Sequence, residues 1–117
     1  MELESKVLSK ELQQFLYDNK KTLGTAESCT GGRIAEAIIA APGASNYFKG
    51  GIIAYTNGIK EELLHVDHQT LEEKTAVSEE VAIQMVKGAC KVLHCDYAIS
   101  ATGIAGPGGG TVSVPVG

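Results

Sequence analysis

The sequence predicts a three-layer α/β/α fold built on a largely parallel sheet. Helix-forming stretches alternate with short apolar runs, the order that packs helices on both faces of a parallel sheet. Each apolar run ends in a polar or glycine-rich turn, at Glu27-Ser28, Thr56-Asn57 and Thr102-Gly103. The length of 117 residues suits one domain with its own core, since domains cluster near ~100–150 residues. Residues 1–117 therefore read as a single domain, with no internal repeat and no dividing linker.

The first element is a helix over residues 3 to 16. Leu3, Val7, Leu8, Leu12, Phe15 and Leu16 recur at three- and four-residue steps, and the stripe ends near Asp18-Asn19. Thr22 to Ala26 reads as a buried strand, Ser28 to Gly32 as a turn, and Arg33 to Ala41 as a helix broken by Pro42-Gly43. Gly50-Gly51 then precedes a second strand, Ile52 to Thr56, and a short helix through Lys60 to Leu64. Thr70-Leu-Glu-Glu73 fits a capping box. Ser78 caps the next helix, whose first turn carries Glu79 and Glu80 and whose inner face is Val81, Met85, Ala89 and Val92. Tyr97 to Ala101 is the third strand, followed by a glycine loop, Thr102 to Gly110.

Composition narrows the function classes. A net charge of −4 argues against gripping a phosphate backbone, and no apolar run reaches membrane-spanning length. A small molecule is the expected partner, with no nucleic acid and no membrane. Glu2, Glu4 and Lys6 at the start lack the pattern of a secretory signal. Three unevenly spaced cysteines do not form a disulfide framework, so a reducing, cytoplasmic location is expected. Glycine is in excess, 14 residues against an average near ~7%, and it is clustered.

In open α/β sheets, ligands bind at the C-terminal edge of the strands, so three sequence-distant turns are expected to meet at one site. Ser28 and Cys29 lie between strand and helix, where backbone amides can steady an oxyanion. Capping by Ser28 or Thr30 is an equal reading at this level. A serine needs a base. His65, His68 and His94 are poorly placed, whereas Lys60 follows Tyr55 by five residues at the end of the second strand. Burial would favour the neutral amine, and the positive start of the helix after Gly32 would act the same way. Its alternative is a solvated lysine beside Glu61 and Glu62. The glycine loop could approach a phosphate with bare amides, but it matches no phosphate-loop or dinucleotide fingerprint. His65-x-x-His68 and Cys90, His94 and Cys95 lack a convincing ligand spacing, so no metal is expected. Cys90 reads as a buried thiol on the apolar face of its helix.

Ala26-Glu-Ser-Cys-Thr-Gly-Gly32, Pro42-Gly-Ala-Ser45, Gly50-Gly51 with Tyr55 to Lys60, Ala76-Val-Ser-Glu80 and Thr102-Gly-Ile-Ala-Gly-Pro-Gly-Gly109 together resemble the CinA C-terminal domain. The resemblance spans roughly residues 5 to 117 and keeps the family's order. It implies a nicotinamide-nucleotide amidohydrolase, converting nicotinamide mononucleotide to nicotinate mononucleotide and ammonia with no metal or organic cofactor. It implies Ser28 as nucleophile, Lys60 as base and Tyr55 as the hydroxyl that holds or relays between them. Glu27, Thr30, Gly31 and Gly32 fall on its substrate-binding side, as do Thr102, Gly103 and Gly106. It also implies a further strand, a closing helix and a basic position near the ligand after Gly117, while Val112-Ser-Val114 stands where the family carries a charged run. A homo-oligomer is expected to cover the sheet edge left open. Two rivals remain: a hydrolase in which Cys29 attacks, and a nucleotide-binding or assembly module without turnover.

Overall fold

A computed structural model describes residues 3–104, 106 and 108. The elements, in chain order, are α1 (Leu3–Asn19), β1 (Leu23–Glu27), α2 (Arg33–Ile39), a 3-10 turn (Ala44–Asn46), β2 (Phe48–Ile53), α3 (Asn57–Leu64), α4 (His68–Lys74), α5 (Glu79–Leu93) and β3 (Tyr97–Ala101). The described strands form one parallel sheet in the order β2-β1-β3, as the alternation of helix and strand requires. Val112-Ser-Val114 and the Pro-Val-Gly that follows lie outside the described residues.

β1 is the central strand, and all five of its residues are buried. Its side chains alternate between two cores. Leu23 joins Leu16, Ala44 and Tyr47 under α1 and the 3-10 turn. Ala26 joins Ala54, Leu64, Val66, Leu71, Val81, Met85 and Ala89 under α3, α4 and α5. The sheet is thus covered on both faces, which makes the three layers. Each fully buried side chain of this size stabilises the fold by roughly 1.5–3 kcal/mol.

Several elements differ from the sequence expectation, each for a stated reason. β2 begins at Phe48 and ends at Ile53, so Gly50 and Gly51 lie inside the strand. Gly51 pairs with Thr25, and a Cβ there would collide with the buried Thr25 Oγ1, so only glycine lets the strands pair at this point. Thr70 is not a cap. Asp67 caps α4 by accepting from the Thr70 amide at 3.0 Å. Ser78 does cap α5, its hydroxyl accepting from the Val81 amide at 3.3 Å. Val92 is 40% exposed, and its expected place on the inner face is taken by Gly88. A Cβ on Gly88 would strike the Leu64 carbonyl, so the glycine marks where α5 and α3 touch backbone to backbone. Cys90 is half-buried, and the fully sheltered thiol of the pair is Cys95.

Candidate active site

The C-terminal ends of the three parallel strands meet, and the main chain ties them together there. The Ser28 amide donates to the Ala101 carbonyl at 2.9 Å, and the Ala54 amide donates to the Glu27 carbonyl at 2.7 Å. Residues directly after β1, β2 and β3 are therefore held side by side. A cleft of about 400 Å³ opens over them, lined by Ser28, Cys29, Tyr55, Asn57, Lys60, Ala76, Val77, Thr102, Gly103, Ile104, Gly106 and Gly108. Its volume falls in the ~300–1,000 Å³ range of small-molecule sites.

Lys60 sits at the base of the cleft and is 1% exposed. It is carried by α3, whose start is fixed by the Thr56 hydroxyl accepting from the Ile59 amide. Lys60 Nζ donates to Ser28 Oγ at 3.1 Å and to the Tyr55 carbonyl at 3.1 Å. Among the described residues no carboxylate lies within ion-pairing distance of it; the ion pairs seen there all involve His68. Burial pushes the amine below the ordinary lysine value, against a smaller opposing effect from Cys29. Ser28 and Lys60 are thus both buried and in hydrogen-bonding contact, with the amine biased toward its neutral form, which is the arrangement a nucleophile and its base require.

Tyr55 takes part through its backbone. Its side chain is 72% exposed, and its carbonyl oxygen accepts from Lys60 Nζ and from Ser28 Oγ, the latter at 3.4 Å. The contact to Ser28 and Lys60 is made by the Tyr55 carbonyl, which the chain turns toward them as it leaves β2, while Tyr55 also lines the cleft. The Thr102 hydroxyl donates to the Ala76 carbonyl at 2.8 Å, pinning the glycine loop to the segment before α5. Thr102, Gly103 and Gly106 line the cleft, as expected for the glycine loop; Ala105, Pro107, Gly109 and Gly110 lie outside the described residues.

The rest of the first turn is placed differently. Glu27, Thr30, Gly31 and Gly32 do not line the cleft. The Glu27 carboxylate accepts from the Thr30 hydroxyl and from the amides of Gly32, Ile34 and Ala35. The Gly32 amide is thereby committed, and the Gly31 amide donates to the Ser28 carbonyl. Neither is free for an oxyanion. The Cys29 and Thr30 amides have no acceptor among the described residues, and that of Cys29 directly follows Ser28, the position from which such turns steady an oxyanion. The Glu27 carboxylate occupies the positive start of α2, and burial is the cause that lowers Lys60.

Sequence reasoning did not single out Asn57, Ala76 and Val77 as lining residues, whereas Ile104 and Gly108 belong to the glycine loop it did single out. The signal for Asn57 was its place in the polar turn after the second strand. For Ala76 and Val77 it was their place just before the Ser78 cap. Among the described residues no group of three or more His, Cys, Asp or Glu side chains could hold a metal ion.

A parallel sheet with a buried serine and lysine in contact at the C-terminal edge of its strands defines an α/β protein with a cleft at that edge. Comparison with known proteins narrows this further. The chain belongs to the CinA C-terminal domain family, whose model matches residues 5–117. A CinA-like protein of Leptospira interrogans serogroup Icterohaemorrhagiae serovar copenhageni is 54% identical over 107 residues, covering 92% of this chain and 26% of the relative. A CinA-like protein of Thermotoga maritima is 47% identical over 104 residues, covering 89% of this chain and 26% of the relative. The chain thus spans about a quarter of the length of these curated relatives. Among solved structures, the competence/damage inducible protein CihA of Agrobacterium tumefaciens superposes with a TM-score of 0.91 at 37% identity, over 99% of this chain and 72% of that one. A competence-damaged protein (CinA) superfamily protein of Escherichia coli gives 0.91 at 36% identity, over 99% and 69%. Among the described residues no helix is long and apolar enough to cross a membrane.

Proposed function

We propose that this chain is a nicotinamide-nucleotide amidohydrolase domain that hydrolyses the carboxamide of nicotinamide mononucleotide to nicotinate mononucleotide and ammonia. The observation that carries the reading is the 3.1 Å contact between Ser28 Oγ and the buried Lys60 Nζ, which has no carboxylate partner among the described residues. The resemblance to the CinA C-terminal domain supports this choice of substrate.

In the reactive form Lys60 is neutral and the direction of that hydrogen bond reverses: the Ser28 hydroxyl donates to the amine lone pair, while an N–H of Lys60 still donates to the Tyr55 carbonyl. Ser28 Oγ attacks the carboxamide carbon as its proton passes to Lys60. The Cys29 amide steadies the tetrahedral oxyanion. Lys60 returns the proton to the leaving nitrogen, ammonia departs, and water enters by the same route to free the acid. Ribose and phosphate lie along Thr102, Gly103 and Gly106, where bare backbone can come close.

The test is ammonia release from nicotinamide mononucleotide, alongside titration calorimetry with the same nucleotide. Ser28→Ala should lower turnover at least about a thousandfold with folding intact, as removal of a nucleophile does. Cys29→Ala should keep most activity. A dead Cys29→Ala with an active Ser28→Ala would transfer the role to Cys29, which also lines the cleft and interacts electrostatically with Lys60. Tight binding without ammonia in the unmodified chain would make the cleft a nucleotide-binding module.

A further inference from the structure

α2 begins at a residue that cannot cap it. Gly32 stands at the cap position with a left-handed backbone, φ 105°, and no side chain to offer. The cap comes instead from the last residue of β1. Glu27 Oε1 accepts from Thr30 Oγ1 at 2.7 Å, from the Ile34 amide at 2.9 Å and from the Gly32 amide at 3.2 Å, while Oε2 accepts from the Ala35 amide at 3.0 Å. The side chain is 1% exposed. Burial alone would raise its pKa, but the bonds from Thr30, Ile34, Ala35 and Gly32 outweigh it and hold the carboxylate below the usual value.

Glu27 immediately precedes Ser28, and its main chain is fixed as firmly as its side chain, through the Ala54 amide on its carbonyl. The turn from Ser28 to Gly32 is therefore closed on both sides by one residue. Its middle is held by the Thr30 hydroxyl and its far end by three amides. The same bonds use up the start of α2, leaving the amides of Cys29 and Thr30, not those of the helix, free beside Ser28.

We propose that Glu27 is a positioning residue for the nucleophile. Its carboxylate clamps the Ser28–Gly32 turn onto α2 and so sets the Ser28 hydroxyl and the Cys29 amide for attack, without itself touching substrate. The inference rests on the reading of Ser28 as nucleophile but not on the identity of the nucleotide.

The test uses the whole chain and two variants. Glu27→Gln keeps the shape and one acceptor oxygen but loses the charge and the second acceptor. Thr30→Val removes the shortest bond to the carboxylate and lies off the cleft. Thermal melting reports folding. Phenylmethanesulfonyl fluoride reports the nucleophile: the Ser28 Oγ–S bond forms, the S–F bond breaks, fluoride leaves, and the hydroxyl proton passes to Lys60. Peptide mass locates and times the label. Steady-state kinetics on nicotinamide mononucleotide separate kcat from KM.

Both variants should remain folded. In Glu27→Gln, labelling of Ser28 and kcat should fall together by about a hundredfold, the cost of a misplaced reacting group, with KM little changed. Thr30→Val should show a smaller loss in the same direction. A raised KM with native kcat would make Glu27 a substrate ligand and overturn the proposal. So would native labelling in folded Glu27→Gln, or losses in both variants that disappear once cooling restores folding. If Ser28 is labelled in a Glu27-dependent way but no ammonia is released, the positioning role stands and the substrate assignment fails. A native chain whose Ser28 takes no label removes both.

Discussion

Burying a lysine beside a serine hydroxyl, with a carbonyl as its other partner, disfavours the charged amine because water's solvation is lost and no anion replaces it. The consequence for stability has a definite sign. With the folded-state pKa of Lys60 below its ordinary value of 10.5, the unfolded chain binds the extra proton. Stability from this group is therefore lowest below the lowered pKa and rises with pH until the ordinary value is passed. Lys60→Met should abolish turnover, raise denaturant stability at neutral pH and flatten that alkaline rise; an unchanged slope would show that another group produces it. Turnover has the matching dependence, since it should rise with pH through one ionisation below the ordinary lysine value. Lys60→Arg should be nearly inactive at saturating nucleotide, because guanidinium keeps its proton. Near-normal kcat in that variant would show that Lys60 is not the base.

At the scale of elements, the site depends on how α3 sits, because α3 carries Lys60 to Ser28. α3 is held by α5 at the closest possible approach, the Leu64 carbonyl lying over Gly88. Gly88→Ala places a methyl where a backbone oxygen already is, and neither partner is a flexible side-chain end. The helix propensity gained by alanine, about 1 kcal/mol, is outweighed by steric displacement that typically costs about 1–3 kcal/mol. We expect Gly88→Ala to lower the melting temperature and also to reduce turnover, because the shift is passed to Lys60. Full stability in a denaturant melt would contradict the packing argument. The Leu64 side chain, 1% exposed, anchors the same helix into the core of Val81, Met85 and Ala89. The end of α3 is set by His65, whose left-handed backbone, φ 58°, turns the chain toward Asp67 and α4.

Across the whole molecule, two apolar cores flank one sheet, and the reactive groups gather at a single edge of it. Among the described residues none of the histidine and cysteine pairs builds into a ligand cluster. A chelator should therefore change neither the melting temperature nor the rate of ammonia release. Stoichiometric zinc in the purified protein, lost together with activity on chelation, would count against this. The outer strand of the sheet keeps Tyr97 and Ile99 partly exposed, with the Phe15 ring of α1 6.2 Å from that of Tyr97. That face is less well covered than the one under α5, where Ser100 donates to the Ala82 carbonyl and Ala98 packs on the core.

Periodicity and turn chemistry are local properties, and what depends on them was legible in the sequence: the alternation of helices and strands, the third strand from Tyr97 to Ala101, the Ser78 cap and the three polar strand ends. From these followed the layered fold and the expectation that Ser28, Lys60 and Thr102 share one edge, and all three line the cleft there. Direction and partnership were another matter. That Tyr55 meets Lys60 with its carbonyl, that Glu27 faces α2 instead of the cleft, and that Gly51 and Gly88 are glycine because of Thr25 and Leu64 depend on contacts between residues far apart in the chain. No local pattern encodes which side of a strand end a neighbouring element will occupy. The tertiary structure decides it, because hydrogen-bonding groups taken out of water must find whichever partners the packing brings within reach.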